Sequence, residues 1–119
     1  ENENEFLLIE PAESRPLCFL QSVRSPELCF VCAPVELLVA SYQKCLTRQD
    51  RTSLELPPGA AAADRSLSWF AVLCFQDPAS PTANLLGPIV VRREARLGIQ
   101  AVREDSLYSA RQPMFPEGA

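Results

Sequence analysis

Ten residues, Leu67-Ser68-Trp69-Phe70-Ala71-Val72-Leu73-Cys74-Phe75-Gln76, constrain the fold of this 119-residue chain more than any other stretch. They are rich in aromatic and branched side chains and apolar on both alternations, which suits a strand covered on both faces. A strand of this kind is predicted to run through the middle of a sheet. The run is much shorter than the roughly 18–20 apolar residues that a membrane-spanning helix needs, and no other stretch comes near that length.

The rest of the chain supplies neighbours for such a strand. Short apolar runs are punctuated by eleven prolines, at intervals that suit a sheet meander. Residues 6–9 form the first run. Residues 17–23 alternate Leu17, Phe19, Gln21 and Val23 against Cys18, Leu20 and Ser22, mostly apolar on both faces. A turn over 24–27 leads into an antiparallel return at 28–32, which Pro34 ends. Residues 35–46 fit either a helical stripe or an extended segment. Asp50, Ser53 and Glu55 suggest a short helix opening at Asp50 and stopped by Pro57-Pro58-Gly59, with Leu54 and Leu56 buried. The alanines at 60–63 read as a loop or a frayed helical turn. Residues 88–92 and 99–103 are predicted to pair through a hairpin over 94–98, in which Gly98 takes a positive φ. Tyr108, Met114 and Phe115 are predicted to cap the open edge of the core. The expected class is all-β and mainly antiparallel: a small barrel or curled sheet with one or two short helices, in one domain over 1–119.

Chemistry is limited by what the chain lacks. There is no histidine, the commonest general base and metal ligand. Lys44 is the only lysine and lacks a Ser-x-x-Lys setting. Glu104-Asp105 is the only adjacent acidic pair, and neighbours on a strand point to opposite faces. The four glycines are ungrouped, so no phosphate loop is formed. An enzyme, a cofactor and a metal are therefore not expected. Cys29-Phe30-Val31-Cys32 has redox or zinc spacing, but it lacks a second ligand pair, and Phe30 and Val31 favour a strand. The five cysteines, an odd number, read as structural thiols of a reducing cytoplasm. The first residues carry no basic, apolar leader pattern. A net charge of −4 argues against nucleic acid and for a basic partner. Acidic residues crowd the start, through Glu10 and Glu13, and Arg92, Arg93 and Arg96 cluster late.

Four blocks carry a family likeness. They are Leu20-Gln21-Ser22-Val23, then Leu28 to Pro34, then Thr82-Ala83-Asn84-Leu85-Leu86-Gly87-Pro88-Ile89-Val90-Val91 followed by Gly98-Ile99-Gln100, and a closing Tyr108 with Pro113-Met114-Phe115. In this order the chain resembles the FliW family of flagellar assembly factors from residue 6 to 115. It departs in lacking the family's preceding stretch of about thirty residues, and in having Arg92 where the family often has Asn. The resemblance implies a non-catalytic cytoplasmic protein. Such a protein binds flagellin and, in exchange, the translational regulator CsrA, relieving repression of flagellin synthesis. Asn84 stands as a partner contact or as a side-chain amide that holds a loop. Gln21 and Ser22, and similarly Gln100 and Tyr42, stand as interface groups or as merely solvent-facing positions. Glu10 and Glu13 are candidates for steering a basic partner, while Gly87, Gly98, Pro34 and Pro88 read as backbone punctuation. Two rival readings are a barrel that binds RNA or a small molecule in a pocket lined by Trp69, Phe70 or Tyr42, and a homo-oligomer built on an exposed edge strand.

Overall fold

The apolar runs become the strands of one sheet, β1 Phe6–Ile9, β2 Cys18–Ser22, β3 Cys29–Pro34, β4 Leu67–Cys74, β5 Thr82–Arg92, β6 Leu97–Gln100 and β7 Gln112–Pro113. The computed structural model describes residues 5–57, 66–104 and 107–115. The strands follow one another across the sheet in the order β1-β2-β3-β4-β5-β6, every pair antiparallel, and β7 returns to pair with the start of β5. The sheet curls into a half-barrel, the predicted class.

Strand β4 lies inside the sheet, as its two-faced sequence requires. Leu67, Trp69, Ala71 and Leu73 enter one buried cluster with Val35, Tyr42, Leu54, Leu56, Ala83, Leu85 and Val90. Phe70 packs on the other face with Cys18 and Cys32, supported by Leu8, Leu20, Val72, Ile89 and Val91. Cys18 and Cys32 are direct partners across β2 and β3, and both are free thiols. Cys32 is pushed above the ordinary thiol range, first by its hydrogen bond with Cys18 and then by burial. Cys29 and Cys32 differ in burial along β3, Cys29 exposed and Cys32 buried. No group of metal-ligating side chains occurs among the described residues.

Of the two readings of 35–46, the helix is realised for one turn, α1 Val35–Leu38; the chain then turns at Ala40–Ser41, where the Tyr42 N–H donates to the Val39 carbonyl, and runs without regular structure to Thr47. The second helix, α2, spans Arg48–Ser53 and starts before Asp50. Thr47 is its cap and Asp50 its third residue: Asp50 N–H donates to Thr47 Oγ1 at 3.0 Å, and Thr47 N–H donates to Asp50 Oδ2 at 3.1 Å. This reciprocal box satisfies two donors that a helix start leaves open. The apolar Leu54 and Leu56 behind it are both buried, as expected. Residues 58–65, with the alanine run, lie outside the described residues, as does Asp105.

Two turns differ from the sequence reading. Strand β5 begins at Thr82 rather than Pro88, because Gly87-Pro88 sits in a bulge that interrupts the β4 ladder without ending the strand. Two steps along β4, from Phe70 to Val72, face five along β5, from Ile89 back to Asn84. In the β5–β6 hairpin the left-handed residue is Arg96, at φ 56° and ψ 39°, closing a 3-10 turn over Arg93–Ala95. Gly98 sits inside β6 instead, where an added Cβ would meet the Val90 carbonyl at 3.5 Å and Val91 Cγ2 at 3.7 Å, ordinary contacts that do not demand glycine. Of the predicted cap, Tyr108 and Met114 pack against the core, whereas Phe115 is 73% exposed. The Arg15-Pro16 peptide is cis.

Candidate partner-binding surface

The β5 bulge brings together two candidates that are sixteen positions apart in sequence. Asn84 Oδ1 accepts hydrogen bonds from the N–H groups of Leu86 at 3.0 Å and Gly87 at 3.1 Å, an Asx-type turn that stabilises the extra residues. From β6, Gln100 Nε2 donates to the carbonyl of Gly87 at 3.1 Å. Gly87 is thus gripped from both sides. A Cβ at that position would stand 2.6 Å from Gln100 Nε2 and 3.3 Å from Asn84 Nδ2, so any side chain there would push the Gln100 amide off the Gly87 carbonyl. Asn84 is half-buried and Gln100 exposed. The atoms that bind the bulge are thus Oδ1 of Asn84 and Nε2 of Gln100.

Next to this rim an open cleft of about 600 Å³ lies between the ends of β4 and β5 and the C-terminal segment. Cys74, Asp77, Thr82, Asn84 and Arg111 are among its walls. Asp77 Oδ1 is engaged by the Ala79 N–H at 3.1 Å. The cleft mixes apolar strand ends with an acid and a base, which suits a polypeptide surface better than a small apolar ligand.

The other candidates lie elsewhere. Gln21 and Ser22 hold the β2–β3 turn: Gln21 Nε2 donates to the carbonyls of Pro26 at 3.1 Å and Leu28 at 3.2 Å, and Ser22 Oγ accepts from the N–H groups of Arg24 and Ser25. Ser22 is 3% exposed. Tyr42 is 6% exposed; its hydroxyl donates to the Leu85 carbonyl at 2.6 Å, one residue past Asn84. Its ring lies 4.5 Å from that of Tyr108, and the Arg103 guanidinium stands over both rings, at 5.2 and 4.9 Å. Tyr42 therefore bears on the rim by fixing β5 from beneath. Trp69, Phe70 and Tyr42 are packed in the core, Phe70 on the opposite face from the other two. The pocket that a ligand-binding barrel would need at these residues is filled by side chains.

Glu10 and Glu13 stand at the far end of β1. Glu13 is exposed in a 3-10 turn. Glu10 forms a two-pronged ion pair with Arg93 of the β5–β6 hairpin, at 2.8 and 2.9 Å, and Arg93 Nε also reaches Ser68 Oγ at 2.9 Å. The hydrogen bond from Arg93 holds the Glu10 carboxyl below its usual range, against a smaller opposing effect of burial. This pair ties the first strand to the hairpin near the other end of the sheet. Of the late arginines, Arg92 is also engaged: its guanidinium donates to the carbonyls of Leu54 at 3.0 Å and Glu55 at 2.7 Å, capping the end of α2. Sequence reasoning did not foresee these arginine contacts, because a guanidinium's partners lie tens of residues away; the only visible signal was the clustering of Arg92, Arg93 and Arg96.

The sheet, the gripped bulge and the cleft describe a small curled β-domain with a polar rim and a tied open side. Residues 1–114 match the family described as FliW protein. The chain is 33% identical over 118 residues to the flagellar assembly factor FliW of Geobacter sulfurreducens, covering 99% of this chain and 72% of that protein. It is 35% identical over 116 residues to the flagellar assembly factor FliW of Bacillus licheniformis, covering 97% and 78%. A crystal structure of the flagellar assembly factor FliW superposes with a TM-score of 0.84 at 28% identity, over 99% of this chain and 79% of that one. The class is that of the flagellar assembly factors. The chain belongs to the FliW family.

Proposed function

We propose that this chain serves flagellum assembly as a non-catalytic cytoplasmic binding protein that engages flagellin and, in exchange, CsrA, so that free flagellin controls release of CsrA from its target. The observation that carries this reading is the family match along residues 1–114, with the half-barrel retained over 99% of the chain. The excess of acid over base, 15 against 11, suits encounter with a basic RNA-binding protein, where charge complementarity mainly raises association rate and specificity. Asn84 and Gln100, on the gripped bulge beside the cleft, are the contacts proposed for a partner. Glu13 and the outward side of Glu10 contribute steering charge. Gln21, Ser22 and Tyr42 act through the turn and strand they hold. The domain is proposed to comprise residues 1–119 as one unit.

Titration calorimetry of the purified chain against flagellin and against CsrA from one organism tests this. One-to-one binding at micromolar affinity or tighter to both, with each partner displacing the other, is the expected result. No heat with either partner, from a chain that circular dichroism shows folded, would reduce the family relation to a shared fold. Steep, monotonic weakening with salt of binding to an RNA probe would instead favour the nucleic-acid reading.

A further inference from the structure

The spacing of the cysteines in sequence suggests a pair between Cys29 and Cys32, but an odd offset puts these two on opposite faces of β3. The sheet instead sets Cys32 directly across from Cys18 of β2. On the same ladder the Ser22 N–H donates to the Leu28 carbonyl at 2.9 Å. Antiparallel ladders alternate bonded and non-bonded pairs, so counting along by twos makes Leu20–Phe30 and Cys18–Cys32 bonded pairs, whose Cα atoms stand about 5.5 Å apart. That separation falls inside the range of roughly 4.4–6.8 Å that a disulfide spans. Both side chains enter the same cluster, Cys18 2% and Cys32 0% exposed. The two thiols are hydrogen-bonded to each other, and Cys32 Sγ also lies 4.0 Å from the Phe30 carbonyl.

We propose that Cys18 and Cys32 form a site of reversible oxidation, in which a peroxide converts the facing thiols into a cross-strand disulfide that staples β2 to β3. Cys18 is the attacking sulfur: the hydrogen bond from Cys32 lowers its pKa, against the opposing effect of burial. Its thiolate attacks one peroxide oxygen and the O–O bond breaks, leaving a sulfenic acid on Cys18 and a hydroxide that takes up a proton. The Cys32 sulfur then attacks Cys18, the S–O bond breaks, and the departing hydroxide leaves as water with the Cys32 proton. Two thiols and one peroxide become one disulfide and two waters. The side chains packed around the pair, Leu8, Leu20, Val72, Ile89 and Val91, are only partly buried, so an oxidant little larger than water reaches it through side-chain motion. In a reducing compartment such a bond is transient, and a dithiol returns it to two thiols by thiolate exchange. The pair shares no residue with the bulge rim, and the inference stands whichever partners the rim takes.

The test uses the whole chain with the exposed Cys29, Cys45 and Cys74 replaced by serine (C29S, C45S and C74S), treated with hydrogen peroxide while folded. Both remaining thiols should disappear with a mass loss of about 2 Da and no dimer. Trypsin, cutting after Arg24, should release the two flanking peptides still linked, and dithiothreitol should restore both thiols. The urea midpoint should rise by roughly 1 M or more on oxidation, because the bridge restricts the unfolded chain. Adding Cys32→Ser should stop the reaction at a sulfenic acid on Cys18, which dimedone captures. If the triple-serine chain fails to fold, the parent with its exposed thiols capped by iodoacetamide gives the same readings. Retention of both thiols, gain of oxygen mass in place of the 2 Da loss, linkage between molecules, or a bond that forms only in urea would overturn the inference.

Discussion

Replacing Tyr42 by Phe separates a positioning role from a contact role for this residue. The substitution keeps the ring, its 4.5 Å approach to Tyr108 and its place under Arg103, and removes only the hydroxyl. That hydroxyl is the donor to the Leu85 carbonyl at 2.6 Å, in a buried setting and across 43 positions of sequence. Removing one partner of a buried hydrogen bond leaves the other to bear its desolvation, a cost of about 1–3 kcal/mol. For a protein of this size, with a urea dependence of about 1–3 kcal/mol per molar, the unfolding midpoint should fall by roughly 1 M with an unchanged slope. The assay is equilibrium urea denaturation followed by tryptophan fluorescence, since Trp69 lies 6.4 Å from Tyr42 within the same core. Partner affinity, measured well below the unfolding midpoint, should fall only modestly and together with stability, as the hold on β5 beneath the rim loosens. A variant as stable as the parent that has lost partner binding would refute the argument and make Tyr42 a contact.

Three further substitutions probe other links. Glu10→Gln removes the carboxylate that Arg93 holds; the pair is about half exposed, so the loss at neutral pH should be at most about 1 kcal/mol. Because the folded carboxyl is held below its ordinary range, that stabilisation is present above the ordinary carboxylate range and disappears as pH falls through the lowered value; parent and variant should converge in acid, and a constant gap across pH would contradict the assignment. Thr47→Ala opens the capping box of α2 and should cost about 0.5–2 kcal/mol in denaturation experiments, whereas no change would mean that the short helix contributes nothing to the fold. Gly87→Ala puts a methyl 2.6 Å from Gln100 Nε2; the flexible amide should swing away and lose its bond to the Gly87 carbonyl, at about 1 kcal/mol, and the Gln100 side-chain NMR signals should move while the far β1–β2 signals do not.

The strands were legible in the sequence where period and composition agree. Phe6–Ile9 appears at its predicted limits, and the two-faced run at 67–76 becomes a strand with neighbours on both sides. The first half of β5 was not legible: Gly-Pro normally punctuates a chain, and only the tertiary setting, with Asn84 and Gln100 gripping the bulge, lets the strand pass through it. The positive φ of Arg96 was misplaced onto Gly98 because glycine tolerates that conformation most easily, while the turn geometry put the need two residues earlier. Within the candidate surface, the sequence singled out Asn84, Gly87 and Gln100 separately. Their convergence on one loop depends on the β5–β6 register, which side-chain pattern alone does not specify.

The order β1-β2-β3-β4-β5-β6 has each strand beside the one made just before it. During synthesis, a chain that emerges from its amino end can therefore lay down the sheet one hairpin at a time, with little exposed strand waiting for a distant mate. The wait is longest between β3 and β4, where residues 35–66 intervene and must close a larger loop. The tail closes the sequence: β7 pairs back onto the start of β5, and the Gln43 N–H donates to the Tyr108 hydroxyl at 2.8 Å across 65 positions. The sheet can thus grow in step with the ribosome, while the gripped rim of β5 acquires its final support only once β7 has emerged to pair with it.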